Sequence, residues 1–432
     1  MRKQVLSIFF LFSALYVFPQ EGDAELTRII GEFEQTVPTL QLPVLQLEYI
    51  PMLEQSQKMD LVKKQKNYFL KLQSDLDNLD PKSLSGMQLL DYEILKFTAE
   101  LHLQRIGVLE KAALLNEPIS EDGVYFLGYG KDYYRLLLKL WTGTKMSPEQ
   151  IMEFGHREVD KVKARIEEIR GNREMDDFYS YLESEEFMIR DEAVLIEAFD
   201  ERKKIVLENL PSIFPELSEL PEVKISKNTN RRLAHVPGYY NQNTFYYTLF
   251  DDPFNSRKLD WLFIHEANPG HHYQINMENS LDLPAYRDMI SSPGYREGWA
   301  AYVEEIGDLV GLYRSPNDFL GKWEWDLVRS VRIVLDVGIN YYGWDKDRAL
   351  EYWKKHIPNQ DQIAMREINR MINWPAQVHT YKVGAHVIMV QKSREMEKQG
   401  DSFDLVEFHR SFLEAGSIPL ELVPMLYELK QE

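Results

Sequence analysis

Apolar residues recur at intervals of three and four, with charge between them, over Leu61 to Leu79, Ser85 to Ala112, Pro148 to Arg170 and Asp191 to Leu207. That spacing gives a helix one apolar stripe and predicts an amphipathic helix for each stretch. The pattern resumes at Leu259 and continues through Arg296 to Leu312, Asp318 to Val337, Asp345 to Lys355, Gln360 to Met371 and Tyr381 to Lys398. The charge runs at 167–170 and at Lys203-Lys204 read as solvated helix faces. Strand signals are few. Pro221 to Ile225 is one, and Asn243 to Leu249, rich in β-formers and bounded by Asn and Asp, is another. No internal repeat, low-complexity tract or long linker interrupts these segments. The pattern predicts a mainly α protein with a small β-sheet.

Composition narrows the class. A chain of 432 residues can bury a large core. The expected organisation is a segment 1–20 followed by one helix-rich domain over 21–432, with two packed halves around a cleft as the alternative. Met1-Arg2-Lys3 and the apolar run Val5 to Phe18 have the charged start and short hydrophobic core of a secretory signal, with cleavage expected near Pro19 or Gln20. The run is too short for a comfortable membrane span, and no second long apolar stretch follows. The chain has no Cys, hence no disulfide, no thiolate ligand and no lipid-bearing cysteine. These features predict an exported protein, periplasmic or extracellular, without a transmembrane segment after signal removal. The net charge of −19 and the lack of a basic stripe argue against nucleic acid as a partner.

The chemistry concentrates in one stretch of a histidine-poor chain. His265-Glu266-Ala267-Asn268-Pro269-Gly270-His271-His272 is followed by Glu297-Gly298-Trp299-Ala300. The plain zinc-peptidase pattern is His-Glu-x-x-His on one helix, whose spacing points both imidazoles at one metal. Here Pro269 stands in place of the second His. Asn268-Pro269 reads as a helix N-cap and first-turn proline, so one helix is expected to end near His265 and another to start at Pro269. Such a break folds His271 back toward His265. A continuous helix with a bulge would instead favour His272, at an axial separation of about 10 Å that is too long for one ion. Without thiols, any metal sits on imidazole and carboxylate, a set that suits Zn²⁺ better than Mg²⁺ or Ca²⁺. Glu266 lies about 100° around the helix from His265, where it can serve as general base without being a ligand. Glu297 and Glu304, two turns apart on one helical face, offer a ligand and a group that orients an imidazole.

At these residues the chain resembles the bacterial domain of unknown function 885, a family grouped with the gluzincin metallopeptidases. The resemblance rests on His265-Glu266-x-x-Pro269-Gly270-His271-His272-x-Gln274 and Glu297-Gly298-Trp299-Ala300-x-Tyr302-x-Glu304. It extends through Asp336-x-Gly338, Trp374-Pro375-x-Gln377-x-x-x-Tyr381-Lys382-x-Gly384 and Gly416-Ser417-x-Pro419-Leu420, from about Asn67 to Met425. It implies a helix-rich, zincin-like fold with a deep active-site cleft. It also implies His265, His271 and Glu297 as zinc ligands, His271 being preferred to His272, and Glu266 as the base. Its Pro-x-Gln-x-x-x-Tyr motif marks Tyr381 as an oxyanion donor, against the ordinary reading of a core tyrosine. Two positions depart from the family: Asn340 stands where His is frequent, and Ala376 where Gly is usual. They bear on substrate preference more than on metal binding.

The expectation is an exported zinc metallopeptidase that hydrolyses peptide bonds through a zinc-activated water, Glu266 moving protons and Tyr381 sharing the oxyanion. The rivals are a zinc amidase acting on a non-peptide or cell-wall amide, and a silent peptide-binding protein. His235, His379 and His386 read as structural histidines. Thr244 to Leu249 reads either as an edge strand to which an extended peptide could add or as ordinary sheet.

Overall fold

The computed structural model describes residues 21–429 apart from 57, 235 and 358–360, so the signal-like segment and His235 lie outside the described residues. Local signals set many helix ends. The Ser147 hydroxyl accepts from the Gln150 amide while the Gln150 side chain accepts from the Ser147 N–H, and Pro148 fills the first helical position. At the far end Gly171 takes φ +60°, so the helix spans the predicted Pro148–Arg170.

The first half of the chain folds as α1 (Glu21–Thr36), α2 (Tyr49–Ser56), α3 (Met59–Asp77), α4 (Gly86–Leu115), α5 (Gly130–Thr142), α6 (Pro148–Arg170), α7 (Met175–Leu182) and α8 (Glu192–Asn209). After the strands come α9 (Leu259–Glu266), α10 (His271–Asn279), α11 (Pro293–Glu305), α12 (Pro316–Asn340) and α13 (Lys346–His356). The chain closes with α14 (Asp361–Asn373), α15 (His379–Gln399), α16 (Leu405–Leu413) and α17 (Val423–Leu429). The protein is mainly helical. One apolar core runs from Leu26 in α1 to Tyr427 in α17, and a second packs α6, α12, α13 and α14 around Trp353. Among the described residues no helix is long and apolar enough to cross a membrane.

The strands are β1 (Met188–Ile189), β2 (Lys224–Lys227), β3 (Gly238–Asn241), β4 (Thr244–Tyr247) and β5 (Phe254–Asn255). β1 pairs with β5, and β2, β4 and β3 form a three-stranded sheet in that order. The edge-strand expectation for Thr244 to Leu249 is therefore wrong. β4 is central, parallel to β2 and antiparallel to β3, so both of its hydrogen-bonding sides are taken and no peptide can add there. The error lies in β3, whose Gly238 and preceding Pro237 hide a strand. Gln242 and Asn243, both at positive φ (46° and 59°), make the tight turn that folds β3 back onto β4.

What positions the site is the crossing of α11 and α15. A Cβ on Gly298 would sit 2.6 Å from the Gly384 Cα, and one on Gly384 would sit 2.4 Å from both the Gly298 Cα and the Gly294 carbonyl oxygen. The two helices thus touch backbone to backbone. Glu297 adjoins one glycine, and Tyr381 lies nearly one turn before the other. Adding a methyl group at either glycine must part the helices, at a cost of about 2–3 kcal/mol or more. Gly298→Ala and Gly384→Ala should each lower the urea midpoint accordingly. Gly31→Ala, on α1 with nothing within 4 Å of the new Cβ, should be neutral or stabilise by up to about 1 kcal/mol. Equal midpoints for all three would show that the close crossing is not under steric constraint.

Candidate metal centre

α9 carries Trp261, His265 and Glu266 and stops at Glu266, because Pro269 has no N–H and disfavours helix at the residue before it. The chain then turns sharply. A Cβ on Gly270 would lie 2.0 Å from the His265 carbonyl oxygen and 2.3 Å from that of Ile264, so only glycine lets the backbone pack onto the end of α9. Trp299 pins this turn from α11, its indole N–H donating to the Pro269 carbonyl at 2.8 Å. The break falls where the sequence places it, but its details differ. α10 starts at His271 behind Gly270, not at Pro269, and Asn268 does not cap it. The reason is tertiary: residues 267–270 are used up in bringing Gly270 against α9, and no helical turn fits there.

The turn faces His271 toward His265, with ring centroids 4.9 Å apart. The Glu297 Oε2 lies 3.6 Å from the His265 Nε2 and 3.5 Å from the His271 Nε2. One ligand atom from each of the three residues lies within 4.8 Å of the other two, a candidate metal-binding triad. The donor set fits a catalytic zinc: two imidazole nitrogens and a carboxylate oxygen. His265 is closed off, whereas His271 and Glu297 keep part of their surface, which leaves one side open for a fourth position.

His265 is held from behind. Its Nδ1–H donates to the Glu304 Oε1 at 2.6 Å, and the other oxygen of Glu304 accepts from the Arg329 Nη1 at 2.7 Å. This fixes the tautomer that turns Nε2 toward the triad. Burial pulls the imidazole of His265 down, but Glu297 and Glu304 outweigh it and hold it at about 9. Burial raises Glu297, yet the two imidazoles prevail and hold its carboxyl well below the usual range. Glu304 is likewise held low, Arg329 overcoming its burial. Glu266 moves the other way: burial, reinforced by Glu297 and Glu304, raises it against the pull of the imidazoles. A carboxyl raised in this way suits proton transfer.

His272 points elsewhere. Its Nε2 is 2.8 Å from the Pro221 carbonyl oxygen and its Nδ1 3.3 Å from the Tyr240 hydroxyl, tying α10 to the sheet. Tyr381 lies beside the triad, its ring centroid 6.3 Å from that of His265, and its oxygen accepts from the Gln377 amide at 3.2 Å. Burial, with Glu297, raises its phenol. The turn before α15 carries Ala376 at φ +69°, the region that favours glycine. The Ala376 N–H donates to both Asp336 oxygens (3.0 and 3.2 Å), and Asp336 also accepts from Tyr134 and meets the His379 Nε2 at 3.1 Å. His379 is thus buried and structural. His386 packs on Phe154 with ring centroids 4.6 Å apart, and Asn340 donates to the Met371 carbonyl at 3.0 Å, linking α12 to α14.

A family of bacterial proteins of unknown function, DUF885, matches the chain over residues 108–425. The chain belongs to that family. No curated protein matches it. Among solved structures it is similar to a candidate lipoprotein from Colwellia psychrerythraea, at 24% identity and a TM-score of 0.66, over 96% of this chain and 75% of that one. A candidate lipoprotein of unknown function from Shewanella oneidensis is 18% identical with a TM-score of 0.56, over 93% and 77% of the two chains. A Pyrococcus furiosus carboxypeptidase is 14% identical with a TM-score of 0.41, over 96% and 92%, a likeness too slight to carry an inference. The first two show a shared fold.

In this DUF885 chain the residue that sequence reasoning missed is Arg329. Its only sequence signal is a charge set among Val328, Val331 and Val334, on a stretch of α12 with no exposed side. Glu304 and Arg329 are 1% and 4% exposed, so removing one strands the other in the core. Glu304→Ala should therefore destabilise the metal-free protein by about 3–5 kcal/mol. Glu304→Gln, which keeps a hydrogen-bonding oxygen, should cost clearly less in the same urea titration. Equal losses would mean that Arg329 requires the charge of Glu304, and that the volume and the hydrogen-bonding oxygen kept by Gln count for nothing.

Proposed function

We propose that the chain is an exported zinc metallopeptidase of zincin-like, gluzincin type. The observation that carries this reading is the convergence of His265, His271 and Glu297 with a buried Glu266 next to the first ligand and Tyr381 alongside. His265, His271 and Glu297 would hold the ion, which when bound supplies Lewis acidity and brings the pKa of a water molecule toward neutrality. Glu266, raised by burial, takes up a proton as the amide is attacked and releases it to the departing amine. The Tyr381 oxygen accepts from Gln377, which leaves its O–H free to donate to the developing oxyanion. Glu304 and Arg329 keep His265 in one orientation throughout. A protein that only bound peptides would gain nothing from a carboxyl such as Glu266 buried beside the triad. The export half of the proposal rests on the signal-like start and on the description of the two structural relatives as candidate lipoproteins.

Purified without chelator, the protein should hold about one Zn²⁺ per chain. His265→Ala, His271→Ala and Glu297→Ala should lose most of it by elemental analysis, and His272→Ala should keep it. Full occupancy in the first three would sink the ligand assignment. Glu266→Gln should retain zinc while peptide hydrolysis, followed by mass spectrometry on a mixed peptide library, falls about a hundredfold or more. Near-normal turnover in that variant would remove Glu266 as the base.

A further inference from the structure

Next to Tyr381, three arginines share one carboxylate. The Arg332 Nη1 lies 3.0 Å from the Glu367 Oε2, the Arg370 Nη1 3.6 Å from the same oxygen, and the Arg366 Nη2 3.4 Å from the Oε1. Among the described residues none of the three has another carboxylate within ion-pair distance. The cluster therefore holds two positive charges in excess, in a chain whose net charge is −19. Arg332 is 2% exposed, and its Nε–H has no hydrogen-bond partner among the described residues; the Nε–H of Arg370 is likewise unpartnered. Leaving such buried donors unmet is costly, and α12 and α14 would pack more cheaply on a single ion pair.

Position gives the cluster a purpose. The Arg332 guanidinium lies 5.9 Å from the centre of the Tyr381 ring and 5.6 Å from Trp325. Trp325, Trp261, Val328, Ile363 and Arg366 belong to the wall of a cavity of about 650 Å³. Trp261 stacks on Trp325 and stands one helical turn before His265 on the same face of α9. Trp261 and Trp325 thus stand between the cavity on one side and Arg332 and the helix that carries His265 on the other. In the same wall Glu324 is paired with Arg257 and Asp251 with Arg231, Glu183, Asp252 and Lys258 also line it, and Arg366 brings the arginine cluster to its surface.

We propose that Arg332, Arg366 and Arg370 bind a carboxylate of the substrate close to the bond that is cut, an inference that rests on the metallopeptidase reading. That carboxylate is either the free C-terminus of a peptide, which makes the protein trim chains from that end, or an Asp or Glu side chain, which makes it select acidic sequences. A guanidinium pair matches a carboxylate fork in either case.

Zinc-loaded, full-length Glu266→Gln protein would be titrated by calorimetry with acetyl-Ala-Ala-Phe, its C-terminal amide, and acetyl-Ala-Glu-Phe amide. The free acid, the Glu-containing amide or both should bind about tenfold or more tighter than the uncharged amide. Preference for the free acid alone identifies the C-terminus as the ligand, and preference for the Glu peptide identifies the side chain. Arg366→Gln and Arg370→Gln, at positions more exposed than Arg332 and checked for an unchanged melting temperature, should each cut the advantage to about threefold or less. Equal affinity for all three peptides, binding by none, or an undiminished advantage in both variants overturns the proposal. The two readings fail separately. Wild-type protein that cleaves charged and uncharged peptides equally keeps the peptidase and loses the carboxylate site. Wild-type protein that cleaves nothing, while the binding preference and its loss in the variants persist, keeps the site and loses the peptidase.

Discussion

The structure depends on one steric fact: α11 and α15 meet through glycine on glycine. Gly298 and Gly384 let two backbones approach to a distance that no side chain would permit. From that crossing Glu297 projects on one helix and Tyr381 on the other. Trp299, the residue after Gly298, reaches across to the Pro269 carbonyl and pins the turn between α9 and α10. A single contact therefore sets the Glu297 carboxylate, the Tyr381 phenol and the His265–His271 approach together. Close packing of this kind transmits small shifts with little loss, so a change of one methylene at the crossing is felt at all three groups.

Burying charge is expensive, and this site buries a great deal of it. The Glu304–Arg329 pair is nearly closed to solvent, and the same Arg329 guanidinium sits 5.4 Å from the Tyr381 ring and 5.9 Å from that of Trp261. An apolar pair of the same volume would pack as well or better. What the ion pair adds is direction. Glu304 has one oxygen for His265 and one for Arg329, and Arg329 in turn props the rings that flank the triad. The energetic cost is met where it fixes the orientation of His265.

How much of this the sequence disclosed follows from where each instruction resides. α6 is legible to the residue because Ser147, Pro148, Gln150 and Gly171 punctuate it locally. The break after Glu266 is legible from Pro269, and so is the convergence on His271. The true start of α10 is not, since it is set by Gly270 packing on the carbonyls of Ile264 and His265, a contact between elements. β3 escapes for a similar reason: Gly238 tells of close packing against Tyr246 and Leu262 only once those neighbours are in place. Arg329 and the arginines around Glu367 lie on α12 and α14, and no spacing relates them to α9. Helical periodicity reports which face is buried; it is silent on what a buried charge meets.

Ala376 shows how a strained backbone position is accommodated. An L-residue at φ +69° costs about 1–2 kcal/mol relative to ordinary backbone. Asp336 offsets that cost by accepting the Ala376 N–H with both oxygens, and Tyr134 and His379 hold Asp336 in turn. Backbone strain persists only where the surroundings over-determine it, and here three buried side chains do so. The beneficiary is α15, which starts three residues later at His379 and carries Tyr381 within its first turn. Gln377, inside the same turn, donates its amide to the Tyr381 oxygen and receives a hydrogen bond from Arg370 at 2.9 Å. The phenol is thereby fixed at its oxygen with its own proton still free. The oxyanion role proposed for Tyr381 needs that combination, and the strained turn supplies it without calling on any residue of the triad.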